Sequence, residues 1–507
     1  MSGARKPCRH GSSSNRITSP IVTSYGMSDR LHDVAEGAVT MTVPARRTLG
    51  ATPLFALLLG GFITIFDLFV VNVALPSIRA DLRASLAGIG WVLAGYELAF
   101  GVTLIAGGRL GDRYGRRKVF MLGMAGFTLA SVLCGLAVTT QSLIVARLLQ
   151  GATAGIMFPQ IYAMLRVLLD AEGRRRAFGL LGMALGFAAI AGQVLGGWIV
   201  TADIADLGWR MIFLINLPVG IIGLLCARRL PETGQADAAR TDWAGTLLAT
   251  IALILLLFPL LEGAHSGWPF WTWGSFIASA AALTLFVAWE RRGEVQGGTP
   301  AVDPALFTNR SFAAGSIIVL LVYSTSTSFF LGFALLVQEG LGLSAFAAGT
   351  LFAPASVAFI AASMTAPRMV ARFGDRAIAG GAGIYLFGTA AVALTALSGA
   401  HEAWLIPSLI LFGFGQGLSM TPLLNFVLGF TAEREAGMAG GIISTMQQLG
   451  GAIGVAMISI LFGQILGEAG YARAFAGGLT YNIAALLFSA LGISLLIRRE
   501  AREAREA

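Results

Sequence analysis

Charge is what this sequence is shortest of. Only 12% of its 507 residues are Asp, Glu, Lys or Arg, while 56% are hydrophobic, against about 25% charged in a soluble domain. With a mean hydropathy of +0.76, the composition excludes a soluble globular protein and points to a polytopic membrane protein. The net charge of +8 is no nucleic-acid footprint, because the basic residues fall in short loops between apolar runs. Cysteine is scarcer still: Cys8, Cys134 and Cys226 form no paired spacing, which argues against a disulfide framework or a cysteine metal site. The histidines, His10, His32, His265 and His401, lie outside the apolar runs, so a haem or di-iron centre in the bilayer would have no ligands. There is no G-x-x-x-x-G-K-[ST] phosphate loop, so uphill work must draw on an ion gradient or a separate ATPase. No His/Asp/Ser cluster gathers at one membrane face, which argues against an enzyme. Residues 1–48 are polar and aperiodic and lack the apolar stretch of a signal peptide. They read as a disordered cytoplasmic tail, with Met27 and Met41 as alternative starts.

What is present is a series of apolar runs, each long enough for a bilayer core of about 30 Å. Fourteen spans are expected, at 52–75, 88–108, 119–139, 143–166, 177–200, 211–229, 243–262, 270–290, 312–337, 345–367, 377–398, 403–424, 438–463 and 479–497. In lipid such runs must be helices, since no water is there to satisfy the backbone. With the N-terminus inside, Arg and Lys from Arg46 onward number 25 in the inner segments and 4 in the outer loops. This supports cytoplasmic termini and an even number of spans.

The loop between spans 2 and 3 reads GGRLGDRYGRRKVF, from Gly107 to Phe120. Its charge suits the cytoplasmic side, and Gly108, Gly111 and Gly115 suit a tight turn. A weaker copy, PRMVARFGDR, runs from Pro367 to Arg376. The two copies lie eight spans apart, which fits two related six-helix halves at 49–229 and 312–498. A two-helix insert with linkers then occupies 230–311, and a short tail 499–507. Related halves are a common plan of secondary transporters.

Charges inside apolar spans are expensive and mark function. Three fall well inside: Asp67, Glu97 and Arg147. Glu97 shares a helical face with Gly90, Ala94 and Gly101; Arg147 precedes Gly151 and Gly155; Asp67 follows Gly60 and Thr64. Small residues on these faces turn them toward other helices. Such groups either staple helices together or form a protonatable carboxylate tuned by a nearby arginine. Span 5 carries a stripe of Gly182, Gly186, Gly192, Gly196 and Gly197, with polar Gln193 at its centre. Spans 9 to 14 hold only neutral polar groups in their interiors, such as Gln416, Gln447 and Gln448.

These pieces resemble the major facilitator superfamily, and within it the fourteen-helix drug:proton antiporters of the multidrug and methylenomycin-resistance type. The loop is similar to the superfamily signature at Gly108, Leu110, Asp112, Arg113, Gly115, Arg116 and Arg117, with Arg109 and Gly111 interleaved. FDLFVVNVALP around Asp67, RLLQGATAG from Arg147, WRMIFLINLPVG from Trp209 and GGIISTMQQLGGAIGVA from Gly440 match further segments. The departure is at Gly192-Gln193, where the antiporter motif usually has Gly-Pro. The resemblance implies an all-α membrane fold with alternating access, coupled to protons without a cofactor. Its expected substrates are lipophilic or cationic molecules, and its expected setting is a monomer in the cell membrane. On this reading Asp67 is the leading proton site, Glu97 the second, and Arg147 a modulator. Asp112 is expected near the start of span 3, where a helix N-terminus favours negative charge, and the loop arginines are expected to pair across the cytoplasmic seam.

Overall fold

A computed structural model describes residues 49–233, 243–263, 266–295, 304–431 and 436–506. Residues 1–48 and much of the 230–311 linkers lie outside the described residues. Among the described residues fourteen helices are long and apolar enough to cross a membrane. They are α1 (Ala51–Leu82), α2 (Leu86–Tyr114), α3 (Arg116–Gly135), α4 (Thr140–Leu168), α5 (Ala171–Ala202), α6 (Gly208–Ala227) and α7 (Trp243–Glu262). There follow α8 (Phe270–Val295), α9 (Arg310–Gly340), α10 (Ala345–Phe373), α11 (Arg376–Leu397), α12 (Leu405–Leu428), α13 (Ala439–Gly467) and α14 (Ala469–Glu500). The last two form one helical run, broken by Gly470 at φ 77°.

Side chains that bury themselves in water-soluble proteins here face outward. Leu122, Leu129, Phe488 and Leu495 are all more than 60% exposed, a surface that water would not tolerate but lipid does. Connections are short, and polar caps close several helix ends. Thr139 and Ser142 form a reciprocal capping box at the start of α4, and Ser85 and Ser344 cap α2 and α10, each satisfying backbone donors that have no partner within the helix.

In the first half α4 packs on α2 and α3, α1 on α5, and α6 on both α1 and α3. In the second half α12 packs on α10 and α11, and α9 on the α13–α14 run. Helices α7 and α8 pair with each other, and Leu261 of α7 reaches α2 beside Gly90. The halves meet along two helix pairs, α2 with α13 and α5 with α10.

That seam is tight at the end of the molecule away from the Gly107–Phe120 loop. There Arg79 of α1 pairs with Glu339 of α9, whose carboxylate also accepts from the Tyr471 hydroxyl at 2.9 Å. The Gln338 amide donates to Val73 O at 2.8 Å, and Phe346 N to Thr201 Oγ1 at 3.1 Å. Gln338 and Glu339 sit on a π-helical turn, Leu335–Gly340, a wider winding that often marks functional positions. Toward the loop end the packing loosens: Gly179 and Gly182 of α5, and Gly440 and Gly441 of α13, have nothing within 4 Å of where a Cβ would stand.

Candidate coupling site

Asp67 and Arg147 meet. Both are 0% exposed and form an ion pair between α1 and α4. The pair is embedded in amides and hydroxyls. Arg147 Nε donates to Val92 O at 3.1 Å and its Nη1 to Gln150 Oε1 at 2.7 Å. Gln150 Nε2 donates to Asp67 Oδ1 and to Ser131 Oγ, each at 2.8 Å. Asn216 Nδ2 donates to the same two oxygens, at 3.4 and 2.8 Å. The guanidinium lies 4.2 Å over the Tyr96 ring, a cation–π contact. Five helices, α1, α2, α3, α4 and α6, thus contribute to one network. Gly151 and Gly155 permit it: a Cβ on either would strike the backbone of α2, at Tyr96 and Phe100.

Glu97 is not part of that network. Adjacent positions on α2 point in different directions, about 100° apart: Tyr96 faces Arg147, and Glu97 faces the other half. Its Oε1 accepts from Thr327 of α9 at 3.1 Å, and its Oε2, buried, has no partner. The expected small-residue face is present and turned to α13. Gly90 lies beside Val455 and Ser459, and Gly101 beside Gln448. Gly451 of α13 makes room for the carboxylate, since a Cβ there would collide with it. The glycines of the GGIISTMQQLGGAIGVA segment thereby acquire a purpose. Gly450 and Gly454 bring α13 onto the backbone of α9, and Gly451 brings it onto Glu97.

Sequence reasoning missed Gln150, Ser131, Asn216, Thr327 and Gly451. Gln150 was findable, three residues after Arg147 and so on the same helical face. Asn216 stands inside the quoted WRMIFLINLPVG segment. The opening residues of that segment serve elsewhere: Trp209 Nε1 and Arg210 Nη1 both donate to Asp81 Oδ2, at 2.9 and 2.7 Å, tying α6 to the end of α1. Ser131 and Thr327 had no distinguishing signal.

The loop differs from expectation in three ways. It is not a multi-residue turn, because α2 runs on through Tyr114 and α3 begins at Arg116, so Gly115 alone turns the chain, at φ 97°. Gly108 and Gly111 lie inside α2, and Gly111 leaves space for Gln160 of α4, which donates to Gly107 O at 2.7 Å. Asp112 sits in the last turn of α2 and pairs with Arg116 at 2.6 Å. The carboxylate at the α3 N-terminus is instead Glu232, which accepts from Arg117 N at 3.0 Å and lies 3.6 Å from the Arg117 side chain. Arg116 therefore pairs within its own half here, Arg117 pairs with the segment that follows α6, and Arg113 stacks on Tyr114. The second loop repeats the geometry: Gly374 turns at φ 63°, and Arg372 lies 5.3 Å over the Phe373 ring, as Arg113 does over Tyr114.

The glycine stripe of α5 divides along its length. Gly192 and Gly196 pack against α1 around Phe66 and Val70, and Gly197 packs on Ala345 of α10. Gly186 touches only Ile360, and Gly182 faces open space. Gln193 is 4% exposed, and its backbone carbonyl faces Gly349 of α10.

Two bundles meeting along α2/α13 and α5/α10, with buried charge in one of them, invite comparison with known transporters. The family model described as Major Facilitator Superfamily matches residues 57–455. The chain belongs to the major facilitator superfamily. It is 38% identical to a Streptomyces coelicolor protein described as a probable actinorhodin transporter, over 80% of this chain and 71% of that one. It is 30% identical to the methylenomycin A resistance protein of Bacillus subtilis, over 86% and 93%, and 33% identical to the puromycin resistance protein of Streptomyces alboniger, over 80% of each. Among solved structures it superposes on a bacterial homologue of the human lysosomal transporter Spinster, with a TM-score of 0.64 at 16% identity. That match covers 89% of this chain and 98% of the other. A D-xylose–proton symporter gives 0.61 at 15%, covering 88% and 96%. This superfamily member is a multi-pass cell-membrane transporter, not an enzyme, and its relatives act in antibiotic export and resistance.

Proposed function

We propose that the protein exports amphipathic, cationic organic compounds in exchange for protons, by alternating access of its two halves. The observation that carries this reading is Glu97, a carboxylate with one unpartnered oxygen, buried where α2 meets α9 and α13. A lone charge there is costly, and either a proton or an organic cation neutralises it. Competition between the two for one carboxylate couples their movements. The seam position matters as well, since a group held by both halves responds when they part. Asp67 and Arg147 act behind it, through Tyr96, as a charged network whose arrangement follows α2.

With the loop end facing the cytoplasm, as the charge count favours, the contacts at the far end and the open glycines at the loop end correspond to a state that admits substrate from inside. The energetics suffice. A proton moving down about 100 mV releases about 2.3 kcal/mol, and one pH unit adds about 1.4 kcal/mol. Together these sustain roughly a 500-fold gradient of a neutral substrate per proton, whereas one-for-one exchange against a monovalent cation moves no net charge and draws on the pH term alone, roughly a tenfold gradient per pH unit. No cofactor or nucleic acid takes part, and one chain in the bilayer suffices.

A second reading has specific support: relatives are described as a probable actinorhodin transporter and as the cephamycin export protein of Amycolatopsis lactamdurans, which favours export of one cell-made compound on the same scaffold. Reconstitution with an imposed pH gradient and a panel of lipophilic cations and neutral drugs tests the first reading. Uptake driven by the gradient with several unrelated cations supports it, and gradient-independent flux overturns it. A deletion strain with unchanged sensitivity to dyes and antibiotics selects the dedicated exporter.

A further inference from the structure

The seam at the far end contains a cavity of about 10 Å³. One wall comes from the first half, with Asn72 and Val73 of α1 and Gln193 of α5. The other comes from the second half, with Phe330 and Gln338 of α9 and Ala348 of α10. Asn72 and Gln193 are 5% and 4% exposed, and each has one polar atom without a partner: the acceptor Asn72 Oδ1 and the donor Gln193 Nε2. Their neighbours are already committed. Asn72 Nδ2 donates to Leu68 O at 2.8 Å, and Gln338 Nε2 donates to Val73 O at 2.8 Å.

An unmet donor and an unmet acceptor on one small void are complementary to a single molecule that accepts from one and donates to the other. The size agrees: a buried water needs about 10–15 Å³ and two or more polar partners, whereas a hydrated cation or an organic group needs far more. We propose that this is a binding site for one water molecule, bridging Gln193 to Asn72 and sealed by Gln338, and that it latches the halves together at this end. Each half supplies part of the site, so it exists only while they touch. Parting them exposes both side chains to bulk water and dissolves the bridge. Gln193 thereby has a task that the coupling chemistry does not give it: it sets how firmly the far end stays closed. The inference does not depend on what is transported.

The test uses the full chain in lipid nanodiscs, where both ends are accessible, with Cys8 and Cys226 replaced by serine. The reporter is Ala345→Cys, at a seam residue 5% exposed whose carbonyl packs on Gly197. Its alkylation rate by a polar maleimide reads opening of the far end. Adding Gln193→Leu is expected to raise that rate severalfold, as is Gln193→Met, which keeps the length of the side chain and guards against misfolding. The sign decides. If the amide were merely an unpaired burden, removing it would tighten the seam, so a slower or unchanged rate in both variants overturns the proposal. A high-resolution map of the far-end-closed state should also hold one solvent peak within hydrogen-bonding distance of both Asn72 and Gln193, and a map without it overturns the proposal as well.

Discussion

The two halves carry the same polar scaffold with different chemistry. In the first half Asn216, on the sixth helix, reaches the first helix at Asp67. In the second half Asn482, on the corresponding last helix, donates to Thr325 O of α9 at 2.9 Å and accepts from Ser328 Oγ at 2.8 Å. Where Arg147 and Gln150 stand on α4, Gln416 stands on α12, donating to Ser326 Oγ at 2.9 Å and to Tyr385 Oη at 3.3 Å. Thr325 Oγ1 donates to the same tyrosine at 3.1 Å. One network is ionic and the other neutral. The neutral one shows that joining four helices, α9, α11, α12 and α14, at this depth requires no charge. A buried ion pair is, in general, no more stabilising than a well-packed neutral substitute. The charge in the first half therefore needs another explanation, which on the proposed mechanism is the seam carboxylate one residue from Tyr96.

The comparison breaks most directly at Asp67. Asp67→Asn leaves Arg147 buried without its counter-ion, which should cost about 3–5 kcal/mol of stability and abolish gradient-driven transport. A double variant, Asp67→Asn with Arg147→Gln, makes the first half neutral like the second. It should recover most of the melting temperature in detergent but none of the transport. Full transport by the double variant would reduce the ion pair to a staple. Next in size, Glu97→Gln should fold with an unchanged melting temperature but bind cationic substrates more weakly, and without competition from protons. Its transport should lose its dependence on the pH gradient, read in proteoliposomes as a drop of roughly tenfold or more in driven flux. A smaller effect is expected at Gly451→Ala, whose methyl group presses on the same carboxylate: flux should fall severalfold and its pH profile should shift, while Gly450→Ala, directed at the α9 backbone, should lower stability instead. The control lies in the second half. Tyr385→Phe removes the hydroxyl that Thr325 and Gln416 share, which should cost about 1 kcal/mol per lost hydrogen bond with the pH profile unmoved. A shifted profile there would erase the distinction between the halves.

Much of this was legible beforehand. Apolar runs of bilayer length dictated fourteen helices because lipid offers the backbone no alternative, and the buried positions of Asp67, Glu97 and Arg147 followed from small neighbours on their faces. What escaped was pairing. Asp67 and Arg147 lie 80 residues apart, and nothing local states that α1 meets α4 while Glu97 turns to α9 and α13. The neutral partners escaped for another reason: Ser131 and Thr327 are unremarkable in any helix, and only the fold gives them neighbours. The loop was misread because glycines suggest turns, whereas Gly108 and Gly111 lie inside α2, where Gly111 makes room for Gln160 of α4. Glu232 took the helix-terminus position expected of Asp112 because the chain after α6 returns to the start of α3, a route that sequence spacing does not reveal.

Cys134 gives the molecule a sensor of its own. It is fully buried, and its thiol donates to Gln150 Oε1 at 3.5 Å, against the same amide that holds Asp67. A thiol reacts only where reagent and water can reach it. Alkylation of Cys134 during turnover would thus report whether solvent ever enters the ionic core, with no engineered label. If the core stays dry through the cycle the thiol will outlast every exposed cysteine, and if protons travel by water through α2 and α4, its lifetime will shorten as transport quickens.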